Sequence, residues 1–250
     1  MKKIAFISGS SSGIGWAIAE ELASSYSLII TGRRPGRLAA LKKKLQPITE
    51  VFELSFDVRD NEQVINALDS LPDEWKNIDV LVNNAGNAHG LGPIHQGDLG
   101  DWDAMIDSNL KGLLYVSRAI TPGMVERKSG HIVNISSIAG KEVYANGNVY
   151  CASKFGVDAV TSGMRMDLNP YNIKVSSVNP GLVNTEFSNV RFKGDQDRAD
   201  NVYRGMQPLT AKDIAEIVKF VVDRPAHVVM SDVTVLPTAQ ACASIVNRSE

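Results

Sequence analysis

A tyrosine and a lysine four positions apart could form an acid-base pair. Tyr150 and Lys154 stand in a segment with helical patterning, so both side chains are predicted to lie on one face of a helix. A phenol has an ordinary pKa of about 10 and is a poor acid at neutral pH. A neighbouring ammonium favours the phenolate and lowers that pKa, so Tyr150 could exchange a proton with an alcohol or alkoxide. The same spacing also arises by chance on helices, and the pair alone decides nothing.

Two hydroxyls could hold the reacting oxygen beside this pair. Ser136 and Ser137 follow the apolar run 131–135, at the end of a predicted strand. A nucleophilic serine would need a histidine base nearby. None of the histidines stands in a nucleophile-elbow motif with this pair, and His131 is predicted to open the strand and point away. We therefore interpret the serine as an orienting group and not as a nucleophile.

A glycine-rich loop follows the first apolar run and precedes a helical segment. Gly9 would permit a tight turn, Gly13 a close approach to a pyrophosphate, and Gly15 close packing of the helix. The start of the helix then offers free N–H groups and a positive dipole end to an anion. Trp16 and Ala17 stand where a nucleoside-triphosphate loop needs Lys and Ser or Thr, which disfavours such a loop. The pattern predicts a dinucleotide site.

The end of the second apolar run bears on the choice of cofactor. NAD enzymes usually place an acid there for the ribose 2′-hydroxyl. This chain has Arg33 and Arg34 instead. A guanidinium binds phosphate bidentately, so the pair favours the 2′-phosphate of NADP(H). The alternative is that both are ordinary surface arginines.

An alternating series of elements must position these residues. The predicted strands are mostly continuous apolar runs, which is typical of strands covered on both faces; they are 4–7, 27–31, 50–54, 78–82, 131–135, 174–178 and 233–236. The predicted helices are 14–24, 37–45, 63–71, 102–127, 150–168 and 211–223. Strands that alternate with helices predict an α/β fold: one Rossmann-like domain over 1–250, with a doubly wound parallel sheet flanked by helices.

The polar stretch 185–207 does not fit this alternation and is predicted to be a long loop. Such a loop is usually functional or mobile, and it would leave the sheet at the edge where ligands bind. We interpret it as a substrate lid; the alternative is a solvated insertion. Arg191 is the leading candidate in it for clamping a substrate carboxylate. The alternative is that Arg191 and Lys193 are solvated, or bind a neighbouring subunit.

Composition excludes several classes of protein. The chain has 250 residues, with 26 basic and 28 acidic side chains and a net charge of -2, so no field favours nucleic acid or a charged membrane. Its two cysteines, Cys151 and Cys242, indicate neither a disulfide framework nor a zinc site, and no metal is expected. The apolar start is too short for a signal peptide, and no run is long enough to span a membrane. A cytoplasmic protein with a small-molecule substrate is predicted.

Taken together, the motifs resemble those of the short-chain dehydrogenases/reductases over essentially the whole chain. The order and spacing of the motifs both match; they are Gly9-x-x-x-Gly13-x-Gly15, Asp57-Val58, Asn83-Asn84-Ala85-Gly86, Asn109-Leu110-x-Gly112, Ser136-Ser137, Tyr150-x-x-x-Lys154, and Pro180-Gly181 with Thr185. The resemblance implies reversible hydride transfer between NADP(H) and a secondary alcohol or carbonyl, in a homotetramer.

The resemblance also implies roles for individual residues. Ser137, not Ser136, stands at the family's distance from the catalytic tyrosine. Asn109 would hold a proton-relay water, and Lys154 would also bind the nicotinamide ribose. The implied cofactor-binding residues are Gly9, Ser11, Ser12, Gly13, Ile14, Gly15, Arg33, Arg34, Asp57, Val58, Asn83, Ala85, Gly86, Tyr150, Lys154, Pro180, Gly181, Val183 and Thr185. The implied substrate contacts are Ser137, Tyr150 and, in the lid, Arg191.

Within the family, the chain is most similar to the bacterial NADP-dependent 3-hydroxy acid dehydrogenases, also called L-allo-threonine or serine dehydrogenases. The stretches that carry this likeness are 81–86, 122–127, 180–183, 185–195 and 225–228. It implies a small 3-hydroxy acid as substrate; other carbonyls or a non-catalytic NADP sensor are the alternatives. Two departures lie after Gly86, where His89 replaces an apolar residue and Gly92 replaces an acid. If that acid accepts a substrate ammonium, amino acids such as serine are poorer substrates here.

Overall fold

Seven parallel strands form the central sheet of the protein. The structure is a computed structural model and describes residues 2–249. In this range the strands are β1 (Lys3–Ile7), β2 (Tyr26–Gly32), β3 (Val51–Ser55), β4 (Ile78–Asn83), β5 (Gly130–Ile135), β6 (Ile173–Pro180), β7 (Val183–Asn184), β8 (Leu209–Thr210) and β9 (Asp232–Val235). The sheet order is β3-β2-β1-β4-β5-β6-β9, and β7 pairs with β8 separately. Every predicted strand overlaps an observed one.

Helices cover both faces of this sheet. Within residues 2–249 they are α1 (Gly13–Leu22), α2 (Pro35–Leu45), α3 (Asn61–Asp69), α4 (Leu99–Ile106), α5 (Gly112–Arg127), α6 (Asn148–Leu168), α7 (Phe187–Arg191), α8 (Gln196–Asn201) and α9 (Ala211–Val222). Because successive side chains of a strand point to opposite faces, Ala5 and Ile7 pack with α1, α2 and α9, whereas Ile4 and Phe6 pack with α3 and α5. The predicted single-domain, doubly wound α/β fold is confirmed.

The direction of the chain across the sheet reverses between β1 and β4. From β1 the chain moves outward through β2 and β3, and then returns to the other side of β1 to form β4. In open parallel sheets, ligands bind in the crevice at the carboxyl ends of the strands beside such a reversal. The glycine loop follows β1, and the serine pair follows β5, so both open into this crevice.

The predicted helix 102–127 is in fact interrupted. The structure has α4, a π-helical turn at Asp107–Lys111, and then α5. The wider turn lets Asn109 reach the loop after β4, where its side chain binds the backbone of Asn87 at 2.7 and 2.8 Å. Because a π turn keeps the apolar pattern nearly helical, periodicity does not reveal it, although such turns often mark functional sites.

The prediction of a long loop at 185–207 is also wrong. The segment contains α7 and α8, and it buries Ser188, Phe192 and Ala199. The side chain of Asp195 caps α8 by accepting from the Arg198 N–H at 3.1 Å. These helices are too short to produce a clear period in the sequence. Among the described residues, no helix is long and apolar enough to cross a membrane.

Candidate active site

A cavity of about 840 Å³, called the main cavity below, lies at the carboxyl ends of β1, β4 and β5. Most residues that the sequence assigns to cofactor or substrate line it: Gly9, Ser11, Ser12, Gly13, Ile14, Arg33, Arg34, Asp57, Val58, Ala85, Gly86, Ser137, Tyr150, Lys154, Pro180, Gly181, Val183, Thr185 and Arg191. The assigned residues Gly15, Asn83 and Asn109 lie behind its wall. The structure therefore brings the two predicted ends of the site into one space.

The glycine loop takes the shape that an anion site needs. Gly9 and Gly13 have φ angles of 70° and 55°, which side chains other than glycine rarely adopt. A Cβ on Gly15 would overlap the carbonyl oxygen of Gly9, so the start of α1 can lie against the loop only because residue 15 is glycine. The free N–H groups at the start of α1 consequently face the main cavity and can bind a pyrophosphate.

Asn84, directly after β4, holds this loop in place from behind, whereas Asn83 has a different role. The side chain of Asn84 donates to the carbonyl oxygens of Ser8 and Gly9 at 3.0 and 3.2 Å. Asn83, which is almost fully buried, donates instead to Ser117 Oγ and Asn134 Oδ1, both at 2.9 Å. The Asn83 side chain thus supports the core between β4 and β5 and does not reach the cavity.

Arginines surround the end of the main cavity beyond β2. Arg34 donates through Nε and Nη2 to Ser11 Oγ at 3.1 and 3.0 Å, and through Nη2 to Ser12 Oγ at 2.6 Å. Arg33 is more open: its Nη1 lies 3.7 Å from Asp57, and its side chain is 59% exposed. Arg34 can therefore bind an anion at Ser11, and Arg33 stands open at the same end of the cavity; guanidinium groups of this kind suit a 2′-phosphate.

Asp57 is already paired at the same end of the cavity. Its carboxylate accepts two hydrogen bonds from Arg59 Nε, at 3.0 and 3.1 Å, and one from Nη2 at 2.7 Å. Although partial burial opposes it, the hydrogen bonds from Arg59 lower the pKa of Asp57 below its ordinary value, so the group stays anionic. Arg59 neutralises Asp57, and the positive charge of Arg33 remains largely available for a ligand.

The acid-base pair lies at the other end of the main cavity. Tyr150 and Lys154 share one face of α6 and are both buried, with exposed fractions of 8% and 6%. Lys154 Nζ donates to the Ile135 carbonyl at 3.0 Å, which ties α6 to the end of β5. Ser137 Oγ accepts from the Ala139 N–H at 3.1 Å and donates to the Pro180 carbonyl at 3.4 Å, and it lines the cavity together with Tyr150. Serine, tyrosine and lysine thus converge beside the cavity, as predicted.

Burial dominates the titration of this pair. It lowers the pKa of Lys154 to about 8, because the interior disfavours the ammonium. It raises the pKa of Tyr150 well above its ordinary value, and the nearby Ser137 hydroxyl and the charge of Arg191 oppose this only in part. The expected lowering of the Tyr150 pKa by Lys154 is therefore not observed, because desolvation of the phenol is the larger effect.

The side chain of Asn109 is fully engaged with protein groups. Besides binding the Asn87 backbone, its Nδ2 donates to Ser153 Oγ at 3.0 Å, and its Oδ1 accepts from Ser108 Oγ at 3.1 Å. These bonds join the π turn, the loop after β4 and α6. The side chain of Asn109 therefore positions α6 relative to the loop after β4, and its role in holding a relay water stays a prediction.

Arg191 reaches the acid-base pair from the lid. Its guanidinium carbon lies 5.6 Å from the ring centres of both Tyr144 and Tyr150. Its Nη2 donates to the Tyr144 hydroxyl at 3.0 Å and its Nε to the Gly90 carbonyl at 3.2 Å. Within residues 2–249, no protein acceptor binds Nη1, which leaves this group for an anion. Lys193, by contrast, pairs with Asp101 at 3.0 Å.

The histidines do not contribute a base to this site. His131 is buried in β5, its Nε2 lies 2.9 Å from Ser176 Oγ, and burial lowers its pKa to about 3. His89 lines a separate, smaller cavity of about 280 Å³ on the far side of Arg191. Because no histidine in the described part of the chain lines the main cavity, Ser137 has no base to make it a nucleophile.

Sequence reasoning missed several residues of the main cavity. Tyr144 precedes α6 in a loop, and Arg59 follows the Asp57-Val58 motif; neither carries a signal that separates it from an ordinary loop residue. The C-terminal stretch 240–249 was also missed. Within it, Arg248 donates to the carbonyls of Arg204 and Val202, the latter at 3.0 Å, and the Ser249 N–H donates to Gly205 at 2.8 Å. The tail therefore closes one side of the cavity and holds the end of the lid.

Known proteins are similar to this chain in sequence and in fold. A family model for short chain dehydrogenase matches residues 3–196. A probable NADP-dependent dehydrogenase of Haemophilus influenzae is 46% identical over 243 residues, which are 96% of this chain and 96% of that protein. The NADP-dependent 3-hydroxy acid dehydrogenase YdfG of Salmonella typhi is 45% identical over 98% of this chain and 100% of that one. A solved closed form of serine dehydrogenase complexed with NADP+ superposes with a TM-score of 0.92 and 43% identity, covering 99% and 100% of the two chains.

The buried ammonium of Lys154 should make folding stability depend on pH. Its pKa is about 8 in the folded protein and near the ordinary 10.5 in the unfolded chain. Between these values the unfolded chain binds more protons, so the free energy of unfolding should rise with pH. The rise relative to Lys154→Met, which cannot titrate, should be about 1–3 kcal/mol.

Chemical denaturation of both proteins across this pH range measures the difference, and the variant cancels the contributions of other titrating groups. Parallel profiles for the two proteins would show that Lys154 keeps an ordinary pKa in the folded state.

Proposed function

The chain belongs to the short-chain dehydrogenase family, and we propose that it is an NADP(H)-dependent oxidoreductase that interconverts small 3-hydroxy acids and the corresponding carbonyl compounds. The observation that carries the substrate assignment is the position of Arg191, whose guanidinium lies 5.6 Å from the ring centre of Tyr150. A carboxylate held there would sit a short distance from a carbinol at the tyrosine hydroxyl. The relatives named for 3-hydroxy acid and serine dehydrogenation support the same class of substrate.

The residues of the main cavity fit NADP(H). The positive φ angles of Gly9 and Gly13 and the start of α1 suit a pyrophosphate. Arg33, Arg34 and Ser11 suit a 2′-phosphate, whereas an NAD enzyme would place an acid here. The Pro180-Gly181 turn and Thr185 line the same cavity beyond the glycine loop, where we assign the nicotinamide. When bound, the nicotinamide supplies or accepts the hydride.

The protein's own part in the reaction is to position the substrate and move one proton. Ser137 orients the reacting oxygen, and the Tyr150 hydroxyl donates a proton to it during reduction or accepts one during oxidation. The Lys154 ammonium, on the same face of α6 as Tyr150, would bind the nicotinamide ribose. Asn109 fixes α6 relative to the loop after β4, and the segment 185–207 acts as a lid that excludes water.

Two alternatives are distinct from this proposal. One is a reductase of other carbonyls, such as sugars, diketones or acyl thioesters, and the other is a non-catalytic NADP-binding sensor. A sensor has no need of Ser137, Tyr150 and Lys154 together, and a carbonyl without an acid group has no need of Arg191 beside the tyrosine. Oxidation of NADPH against a panel of carbonyls, and its reverse with alcohols, distinguishes all three.

We propose a homotetramer in the cytoplasm. Large apolar side chains stand exposed on α5 and α6, where the family resemblance places the contacts between subunits; they include Leu114, Phe155 and Met166. The free cysteines, Cys151 and Cys242, suit a reducing compartment. Light scattering at micromolar concentration should give four times the 27.1 kDa chain mass, and a monomer would contradict the assignment.

Removing the phenolic hydroxyl should stop the reaction. Tyr150→Phe should lower kcat by at least about two to four decades, the contribution of general acid-base catalysis, and leave NADPH binding nearly intact. Steady-state rates and fluorescence titration of NADPH measure the two effects. Tyr171→Phe is the matched control, because it removes a phenolic hydroxyl that lies outside the main cavity. Retention of about a tenth of the activity in Tyr150→Phe would exclude this residue as the acid-base group.

Arg33 should select NADPH over NADH. Arg33→Asp should weaken NADPH far more than NADH, by about one to two decades, because a charge-assisted contact with phosphate is worth about 1.5–3 kcal/mol. The ratio of kcat/KM for the two cofactors measures this. A wild-type protein that prefers NADH would contradict the assignment before any variant is made.

Arg191 should act only on acidic substrates. Arg191→Ala should raise KM for 3-hydroxypropionate or 3-hydroxyisobutyrate by about one to two decades, and spare an uncharged ketone. Lys193→Ala is the control, because this neighbouring lid cation pairs with Asp101. Equal losses for charged and neutral substrates would mean that Arg191 only shapes the lid.

Because Gly92 replaces an acid, hydroxy acids without an amino group should also outperform serine.

A further inference from the structure

An acidic residue of the lid reaches the arginines at the other end of the main cavity. Glu186 stands directly before α7, and its carboxylate accepts from Arg37 Nη1 at 2.6 Å and from Arg34 Nη1 at 3.2 Å. Its neighbour Thr185 lies beside Gly13 of the glycine loop. The start of the lid therefore lies beside the glycine loop, and ion pairs hold it at the assigned 2′-phosphate end of the cavity.

The guanidinium of Arg34 is shared between two partners. Its Nε and Nη2 atoms face the hydroxyls of Ser11 and Ser12, and its Nη1 atom faces Glu186. An anion bound at Ser11 and the carboxylate of Glu186 would thus compete for the charge of the same side chain. Arg37 contacts only the carboxylate among these groups, so Glu186 keeps one partner when Arg34 turns to another anion.

We propose that Glu186 is a specificity-tuning residue that competes with the 2′-phosphate of NADP(H) for Arg34. The proposal rests on the assignment of NADP(H) made above. A dianion beside Arg34 weakens the hold of that arginine on Glu186, and Glu186 in turn weakens the binding of the dianion. NADPH is therefore bound less tightly than its arginines alone would allow, and it loosens the first turn of the lid.

The effects of Glu186 and of the 2′-phosphate on each other are thermodynamically linked. If Glu186 lowers the affinity for the 2′-phosphate by some factor, the 2′-phosphate must lower the stability of the Glu186 contact by the same factor. NADH differs from NADPH only in lacking this phosphate, so comparing the two cofactors cancels every contact that they share, including those that Thr185 makes. For a half-exposed ion pair we expect a factor of about two to five.

The first measurement is cofactor binding in the absence of substrate. Glu186→Gln should lower the Kd of NADPH about two- to fivefold, and leave the Kd of NADH unchanged. Added salt should shrink the difference, because exposed charges are screened. Glu20→Gln is the matched control: it makes the same change in net charge on α1, where Glu20 pairs with Lys44, and should alter neither Kd. Glu186→Asp keeps the charge and should retain part of the wild-type behaviour.

The second measurement is amide hydrogen exchange of residues 187–203 at saturating cofactor. In the wild type, exchange should be faster with NADPH than with NADH by about the same factor, and in Glu186→Gln this contrast should vanish. Weaker NADPH binding in Glu186→Gln would overturn the proposal, because Glu186 would then orient Arg34. An unchanged Kd, or an equal change for both cofactors, would also overturn it and leave Glu186 as a structural ion pair. A wild type without preference for NADPH would instead refute the cofactor assignment.

Discussion

The buried charge of Lys154 is the constraint on which the site depends. An ammonium removed from water is tolerated only where the protein supplies acceptors and fixed geometry. Here the acceptor is the Ile135 carbonyl at the end of β5, 3.0 Å from Nζ. Ser136 donates to the Lys154 carbonyl at 3.4 Å, and Asn109 donates to Ser153 on the same helix. These hydrogen bonds hold the end of β5 and the π turn against α6 next to the buried charge. They thereby fix the position of Tyr150 on α6.

Charge is distributed unevenly along the main cavity. Cationic side chains stand at both ends, with Arg33, Arg34 and Arg37 near the glycine loop and Arg191 beside Tyr150. The middle is built from small residues and backbone at Gly86, Pro180 and Gly181. A ligand with anionic groups at its two ends and an apolar, flat centre matches this pattern. The ion pair of Asp57 with Arg59 cancels further charge at the glycine-loop end, whereas Lys193 and Asp101 pair with each other in the smaller cavity.

The sequence predicted the parts of this structure that follow from the pattern of apolar residues along the chain. Strands buried on both faces are continuous apolar runs, and all seven were found. The motif residues at their ends were placed correctly because the carboxyl ends of parallel strands share one edge. Contacts between residues distant in sequence were not predictable. The π turn around Asn109 leaves the apolar period almost unchanged, and the two lid helices are shorter than any period. The pKa of Tyr150 is raised and not lowered as the sequence predicted, because the phenol is desolvated. This desolvation depends on the packing of Tyr144, Phe187 and α6 around the ring.

The contact between the C-terminal tail and the lid has a consequence for how the molecule moves. Arg248 and Ser249 donate hydrogen bonds to carbonyl groups within 202–205, so these two residues hold the far end of the lid. The near end is held by the ion pairs of Glu186 with Arg34 and Arg37. Because the segment is attached at both ends, we expect it to open by displacement of its middle and not by rotation about a single hinge. Removal of the Arg248 and Ser249 contacts would therefore release the far end of the lid and would change the rate of ligand exchange.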